Sequence, residues 1–134
     1  MTMRVALGAL AYILPTFPLG YVWHLVLFRD HYQLLAVYRN ELIFPFGIGS
    51  MLIQGVVWAY LYARLFSGEP ILRGAWKFGC IAFPLVWSFL VLAVAAKHRM
   101  ADVSGYVLIE SAFTVVQYLV LSPLIAWVFS IRKA

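Results

Sequence analysis

Few residues in this chain are equipped for chemistry. Glu110 lies in VLIESAFTVVQYLV, residues 107–120, where nearly every other side chain suits hydrocarbon. An ionisable group inside an apolar span is costly, and it is a candidate for function by default. His24 lies in a second apolar run, and an imidazole exchanges a proton near neutrality. A carboxylate and an imidazole together could hold or pass a proton as an acid–base pair. Their depths match. Glu110 is seven residues before the centre of its run, about 10 Å from the mid-plane at 1.5 Å per residue. His24 is eight residues past the centre of a run of opposite direction, about 12 Å toward the same face. Three partners for Glu110 follow: His24 itself, a hydroxyl donated by Tyr21 or Tyr106, or Arg39 reaching in from the segment after the first run. Tyr106, Glu110, Thr114 and Gln117 form one helical stripe.

Two amides form a second layer. Gln54 and Gln117 fall near the centres of their runs, so both are expected to face the interior as a mid-membrane polar pair. Each interhelical hydrogen bond of this kind contributes about 0.6–2 kcal/mol. No zincin helix, phosphate loop, nucleophile elbow or paired-cysteine motif is present. Cys80 is the single cysteine, which excludes an intrachain disulfide. No catalytic residue and no metal-ligand set is therefore assigned, and no cofactor is predicted. Haem held through His24 is the cofactor alternative, since imidazole ligates haem iron. His31 and His98 read instead as interfacial residues.

These side chains must be positioned by membrane helices. Of 134 residues, 65% are hydrophobic and only 11% charged, with a mean hydropathy of +0.93. A soluble domain of this length is about half apolar and a quarter charged. The excess suits several spans of about 20 residues each. Charged residues partition the chain into spans of about 3–29, 42–66, 73–96 and 104–130, a single integral membrane domain over 1–134. The first span is too long for a typical cleaved leader and no small-residue site follows it, so it is expected to be retained. The net charge of +5 does not indicate nucleic acid, because the basic residues are scattered at span ends. Arg4, Arg64, Arg73, Lys77, Arg132 and Lys133 collect on one side, and Arg29, Arg39, Lys97 and Arg99 on the other. That bias places both termini in the cytoplasm. Tyr32, Tyr38, Trp76, Tyr106 and Trp127 suit interfacial belts. Leu34, Leu35, Val37 and Tyr38 could lie along the membrane surface as a short helix.

The two halves of the chain echo each other. FPL occurs at residues 17–19 and 83–85, an offset of 66, and Gln54 matches Gln117 at an offset of 63. Read as a repeat, the unit is a two-helix hairpin, and two such hairpins run in the same direction. The expected fold is an all-α membrane protein, four transmembrane helices in an antiparallel bundle built from two tandem parallel hairpins. Pro18 and Pro84 are then equivalent. Glu110 has Gly47 as its counterpart, so it marks where the halves differ.

WHLVLFRDHY, VYRNE and GAWKFG, with an acidic residue early in the last span, resemble a broad group of small four-span bacterial inner-membrane proteins that carry no assigned activity. The similarity runs over most of the chain through a sparse motif. It implies a bacterial inner-membrane location, and its motif falls on His24, Tyr32, Arg39, Gly74, Gly79 and Glu110. By elimination the expected role is a non-catalytic subunit or assembly component of a larger membrane complex. Its partners are the lipid bilayer and other membrane-protein subunits or further copies of itself. The alternative is a small oligomeric transporter or proton-coupled carrier using Glu110 and His24.

Overall fold

Without water in the hydrocarbon region, every backbone N–H and C=O must be satisfied inside its own segment, and helices do this. The computed structural model describes residues 2–37, 39 and 41–130, and for Thr2 the backbone alone. Tyr38, Arg132 and Lys133, which entered the topology argument, lie outside the described residues. Regular structure among the described residues is helical throughout, with no strand. Helix α1 (Thr2–Val22) continues into a π-helical turn, Trp23–Leu27, and a short α2 (Arg29–Leu35) follows. Next come α3 (Phe44–Leu65) and α4 (Ile71–Trp87). A second π turn, Ser88–Leu92, joins α4 to α5 (Ala93–Lys97), and α6 (Val103–Ser130) ends the described chain. Four helical stretches are long and apolar enough to cross a membrane: Met3–Leu27, Phe44–Leu65, Ile71–Lys97 and Val103–Ser130. Each agrees with the charge-delimited spans to within about two residues.

Local chemistry explains the ends. Pro45 stands in the first turn of α3, where its missing N–H is no loss. Asp102 caps α6: its Oδ1 accepts hydrogen bonds from the Gly105 N–H and the Ser104 hydroxyl, each at 2.9 Å. Those bonds hold the Asp102 carboxyl below its ordinary pKa, the Gly105 N–H contributing most. Ala36 adopts a left-handed conformation, φ 56°, and turns the chain sharply after α2. Each π turn has a proline about one turn upstream, Pro18 for the first and Pro84 for the second. A proline removes one helical N–H and crowds the carbonyl four residues back, and π turns are among the ways a helix absorbs such a misfit.

Helix α6 is the central element. Its apolar window is 56% buried within the protein, against 17–22% in the other three spans. It packs along both α1 and α4, while α1 also packs along α3. Small residues bring α1 and α3 together: Ala9 and Ala59 are buried, and a Cβ built on Gly55 would sit 3.1 Å from the Ala9 carbonyl oxygen. Close backbone approach is the usual source of helix association in lipid, where apolar burial gives little drive. Toward the end of α3, Tyr62 stacks on Phe129 at 5.2 Å and meets Phe78 edge-on at 5.6 Å, so α3, α4 and α6 join there. The opposite end holds a smaller cluster of Tyr32, Leu35, Val91 and Tyr106. Of the four residues expected on the membrane surface, Leu34 points outward, Leu35 faces the protein, Val37 is half-buried and Tyr38 lies outside the described residues. Leu35 is turned inward by α2 folding back over the helix ends. In the first half of α3, Met51 packs against the larger cluster while Phe44, Phe46, Ile48, Leu52 and Ile53 are exposed.

This packing makes a paired prediction. Gly55→Leu would press on the Ala9 backbone and the Ile13 side chain and should cost about 1–3 kcal/mol, seen as a lower thermal midpoint in detergent. Gly47→Leu, whose added Cβ meets nothing within 4 Å, should leave the midpoint unchanged or slightly raised. Equal effects of the two would contradict the α1–α3 contact.

Candidate functional site

His24 sits within the first π turn and Glu110 two turns into α6. Because α1 and α6 are neighbours, the depth match becomes a contact. His24 Nε2 lies 3.1 Å from Glu110 Oε1. The Tyr32 hydroxyl donates to the same oxygen at 2.6 Å. Tyr32 is placed by the break at Phe28 (φ −114°, ψ 23°), which starts α2 and lets its ring return to 4.8 Å from the His24 ring. Phe113 meets the imidazole edge-on at 4.6 Å. Glu110 and Tyr32 are 7% and 2% exposed, so the triad is held away from bulk solvent.

The hydrogen-bond geometry restricts where protons sit. His24 Nδ1 lies 2.8 Å from the Gly20 carbonyl oxygen, which can only accept, so Nδ1 carries a hydrogen. Nε2 and Oε1, at contact distance, then share one further proton. Whether it rests on nitrogen or on oxygen, the His24–Glu110 pair has zero net charge. A carboxylate with an imidazolium and a carboxylic acid with a neutral imidazole are its two forms. The burial cost of an isolated charge is thereby avoided. The Tyr32 hydroxyl is directed at the same oxygen of the pair. Thr114 Oγ1 donates back to the Glu110 carbonyl at 2.7 Å, along the stripe expected from the sequence.

The other candidates fall out differently. Tyr106 is buried, but its hydroxyl donates to the Leu90 carbonyl at 2.7 Å, within the second π turn, and not to Glu110. Tyr21 is 49% exposed and makes no hydrogen bond to Glu110 among the described residues. Arg39 is exposed and does not reach the carboxylate; it lines a cavity beside His24. Gln117 is buried as expected, whereas Gln54 is exposed. The two amides do not pair directly. Tyr12 stands between them, donating to Gln54 Oε1 at 2.5 Å and facing Gln117 from its other side. Gly74 and Gly79 are packing positions remote from Glu110; their added Cβ atoms would lie 2.1 Å from the Tyr62 hydroxyl and 3.2 Å from Ser122 Oγ. His31 lies beside the Asp102 cap, and His98 Nδ1 lies 3.2 Å from the Val94 carbonyl oxygen, so neither joins the His24 group. An iron ligated by His24 would have to take Nε2 from Glu110. No three His, Cys, Asp or Glu side chains converge among the described residues.

Two residues of this neighbourhood carry no strong signal in the sequence. Tyr32 shares the i, i+4, i+8 spacing of His24 and Phe28, but on a continuous helix it would stand about 12 Å away. Tyr12 reads as ordinary apolar filling. Two cavities meet at His24. One, of about 540 Å³, is lined by His24, Arg29, Tyr32, Gln33 and Arg39. The other, of about 330 Å³, runs from His24 past Gly20 and Phe113 to Tyr12 and Gln117. No family model, curated protein or solved structure matches the chain.

Substitutions at the triad should rank by what they leave behind. Glu110→Leu removes the acceptor shared by His24 and Tyr32 and should cost about 3–5 kcal/mol, as for one partner lost from a buried pair. Tyr32→Phe should cost about 1.5–3 kcal/mol, a hydrogen bond to a charged group. Glu110→Gln keeps an acceptor oxygen and should be the mildest of the three. Thermal unfolding in one detergent reads the order, and an unchanged curve for Glu110→Leu would refute the contact.

Proposed function

We propose that this chain is a non-catalytic component of a larger membrane complex, docked through the first half of α3 against a transmembrane helix of another subunit. The observation that carries the reading is the run of exposed apolar side chains Phe44, Phe46, Ile48, Leu52 and Ile53 on α3. The second half of the same helix is well packed. Aromatic and branched side chains held at full helical length along one free edge suit a further helix better than fluid lipid alone. The proposed setting is a bacterial inner membrane, with four spans alternating in direction and both termini in the cytoplasm, as the Lys and Arg bias favours. The two halves are read as hairpin copies. In support, the π turns begin at Trp23 and Ser88, 65 residues apart, close to the 66 that separates the FPL motifs.

A proton-coupled carrier is the second reading. It is favoured by the His24–Glu110 pair, which keeps one proton at constant net charge beside two cavities. One preparation separates the two readings. Extracted in mild detergent, the protein should co-migrate with a larger assembly on native gels, and Ile48→Cys in a Cys80→Ser background should crosslink to a different polypeptide. A lone monomer under gentle extraction counts against the subunit reading. If the same monomer in proteoliposomes supports a flux that Glu110→Gln abolishes, the carrier replaces it.

A further inference from the structure

We infer that the two cavities meeting at His24 form one binding site for a single-chain amphiphile with a phosphate head. The argument is independent of the complex and carrier readings. The larger cavity lies at the helix ends, where the first span gives way to α2, at the level of lipid headgroups. Arg29, Arg39 and Gln33 line it together with His24 and Tyr32, whose own hydrogens are already engaged with Gly20 and Glu110. No Asp or Glu lines it. Neither arginine makes an ion pair among the described residues. Glu110 already neutralises His24, so the positive charge facing the cavity belongs to the arginines. Two guanidinium groups with an amide donor beside them suit a phosphate's charge and its need for donors. Basic pockets between membrane helices commonly take lipid headgroups.

The smaller cavity supplies the tail site. It shares His24, Leu25 and Leu42 with the basic one, so the two are adjacent across these side chains. Its wall along the membrane is apolar, including Phe17, Phe44, Val86, Leu90 and Phe113, and the Tyr12–Gln54 hydrogen bond closes its deep end. The cavity exists because the first half of α3 stands away from α6 and because Gly20 contributes no side chain. Its volume of about 330 Å³ holds roughly ten groups of water's size, at about 30 Å³ each, which fits one medium-length alkyl chain and not two.

Dodecyl phosphate is the probe, titrated into the full chain in a neutral maltoside detergent and read as bound adduct by native mass spectrometry. Inorganic phosphate is run in parallel to separate a free anion from a lipid-like ligand. The wild type should bind dodecyl phosphate at least about tenfold more tightly than inorganic phosphate, because the micelle concentrates the amphiphile beside the cavity and its head and tail are then held together. Arg29→Gln with Arg39→Gln should weaken both ligands about tenfold or more; both side chains are outside the packed core, so folding should persist. Gly20→Leu extends into open space, its Cβ meeting only His24 Nδ1 at 4.0 Å, and should weaken dodecyl phosphate alone. Equal dodecyl phosphate binding in wild type and the double arginine variant would overturn the site. So would inorganic phosphate binding as tightly as dodecyl phosphate with no response to Gly20→Leu, which would leave a free-anion site.

Discussion

One carboxylate inside an apolar helix sets the terms for the rest of this protein. Glu110 can be buried in α6 only if its charge is matched at its own depth, and the match comes from two other elements. His24 requires α1 to lie beside α6 with its π turn at that level. Tyr32 requires the chain to break at Phe28 and fold α2 back over the helix ends. The contact thus ties together the start of α6, the end of α1 and the following connection. Because one proton shared between imidazole and carboxylate leaves the pair neutral, the group is held without an uncompensated charge in hydrocarbon.

The second constraint is how helices associate in lipid. Apolar burial gives little preference for protein over lipid, so close backbone approach and polar contacts decide which helices touch. Gly55 against Ala9 brings α1 to α3, and the aromatic cluster around Tyr62, Phe78 and Phe129 gathers α3, α4 and α6 at one end. At the other end such a device joins α1 to α6 but does not reach α3. The space left beside the first half of α3 is the apolar cavity that opens beside His24. The site and the incomplete packing therefore have one origin.

Much of this was legible in the sequence, for identifiable reasons. Charges at span ends delimit the four helices closely, since burying them in lipid is costly. The level of His24 and Glu110 follows from counting 1.5 Å per residue from each span centre, and the count survives because the helices are long and nearly uninterrupted. What fails is whatever depends on local departures from a regular helix. Tyr32 could not be recognised as the donor without the break at Phe28, so Tyr21 and Tyr106 looked equally suitable. Tyr106 was drawn instead to a carbonyl within the second π turn, a feature that Pro84 hints at but does not fix. Gln54 was placed inside on depth alone, and depth does not reveal that it is exposed. Arg29 read as a topology charge and Arg39 as that or as a partner for Glu110; only the fold of α2 and the turn at Ala36 set them around one cavity.

The central claim, that His24 and Glu110 stabilise each other directly inside the protein, is tested most directly by a double-mutant cycle. Thermal or denaturant unfolding of the wild type, His24→Leu, Glu110→Leu and the double variant in one detergent gives the coupling free energy. A coupling of about 1–3 kcal/mol, with the double variant clearly less destabilised than the two single losses combined, is the predicted result for residues in contact. Additivity within about 0.5 kcal/mol would mean that the two residues act separately, and would contradict the account.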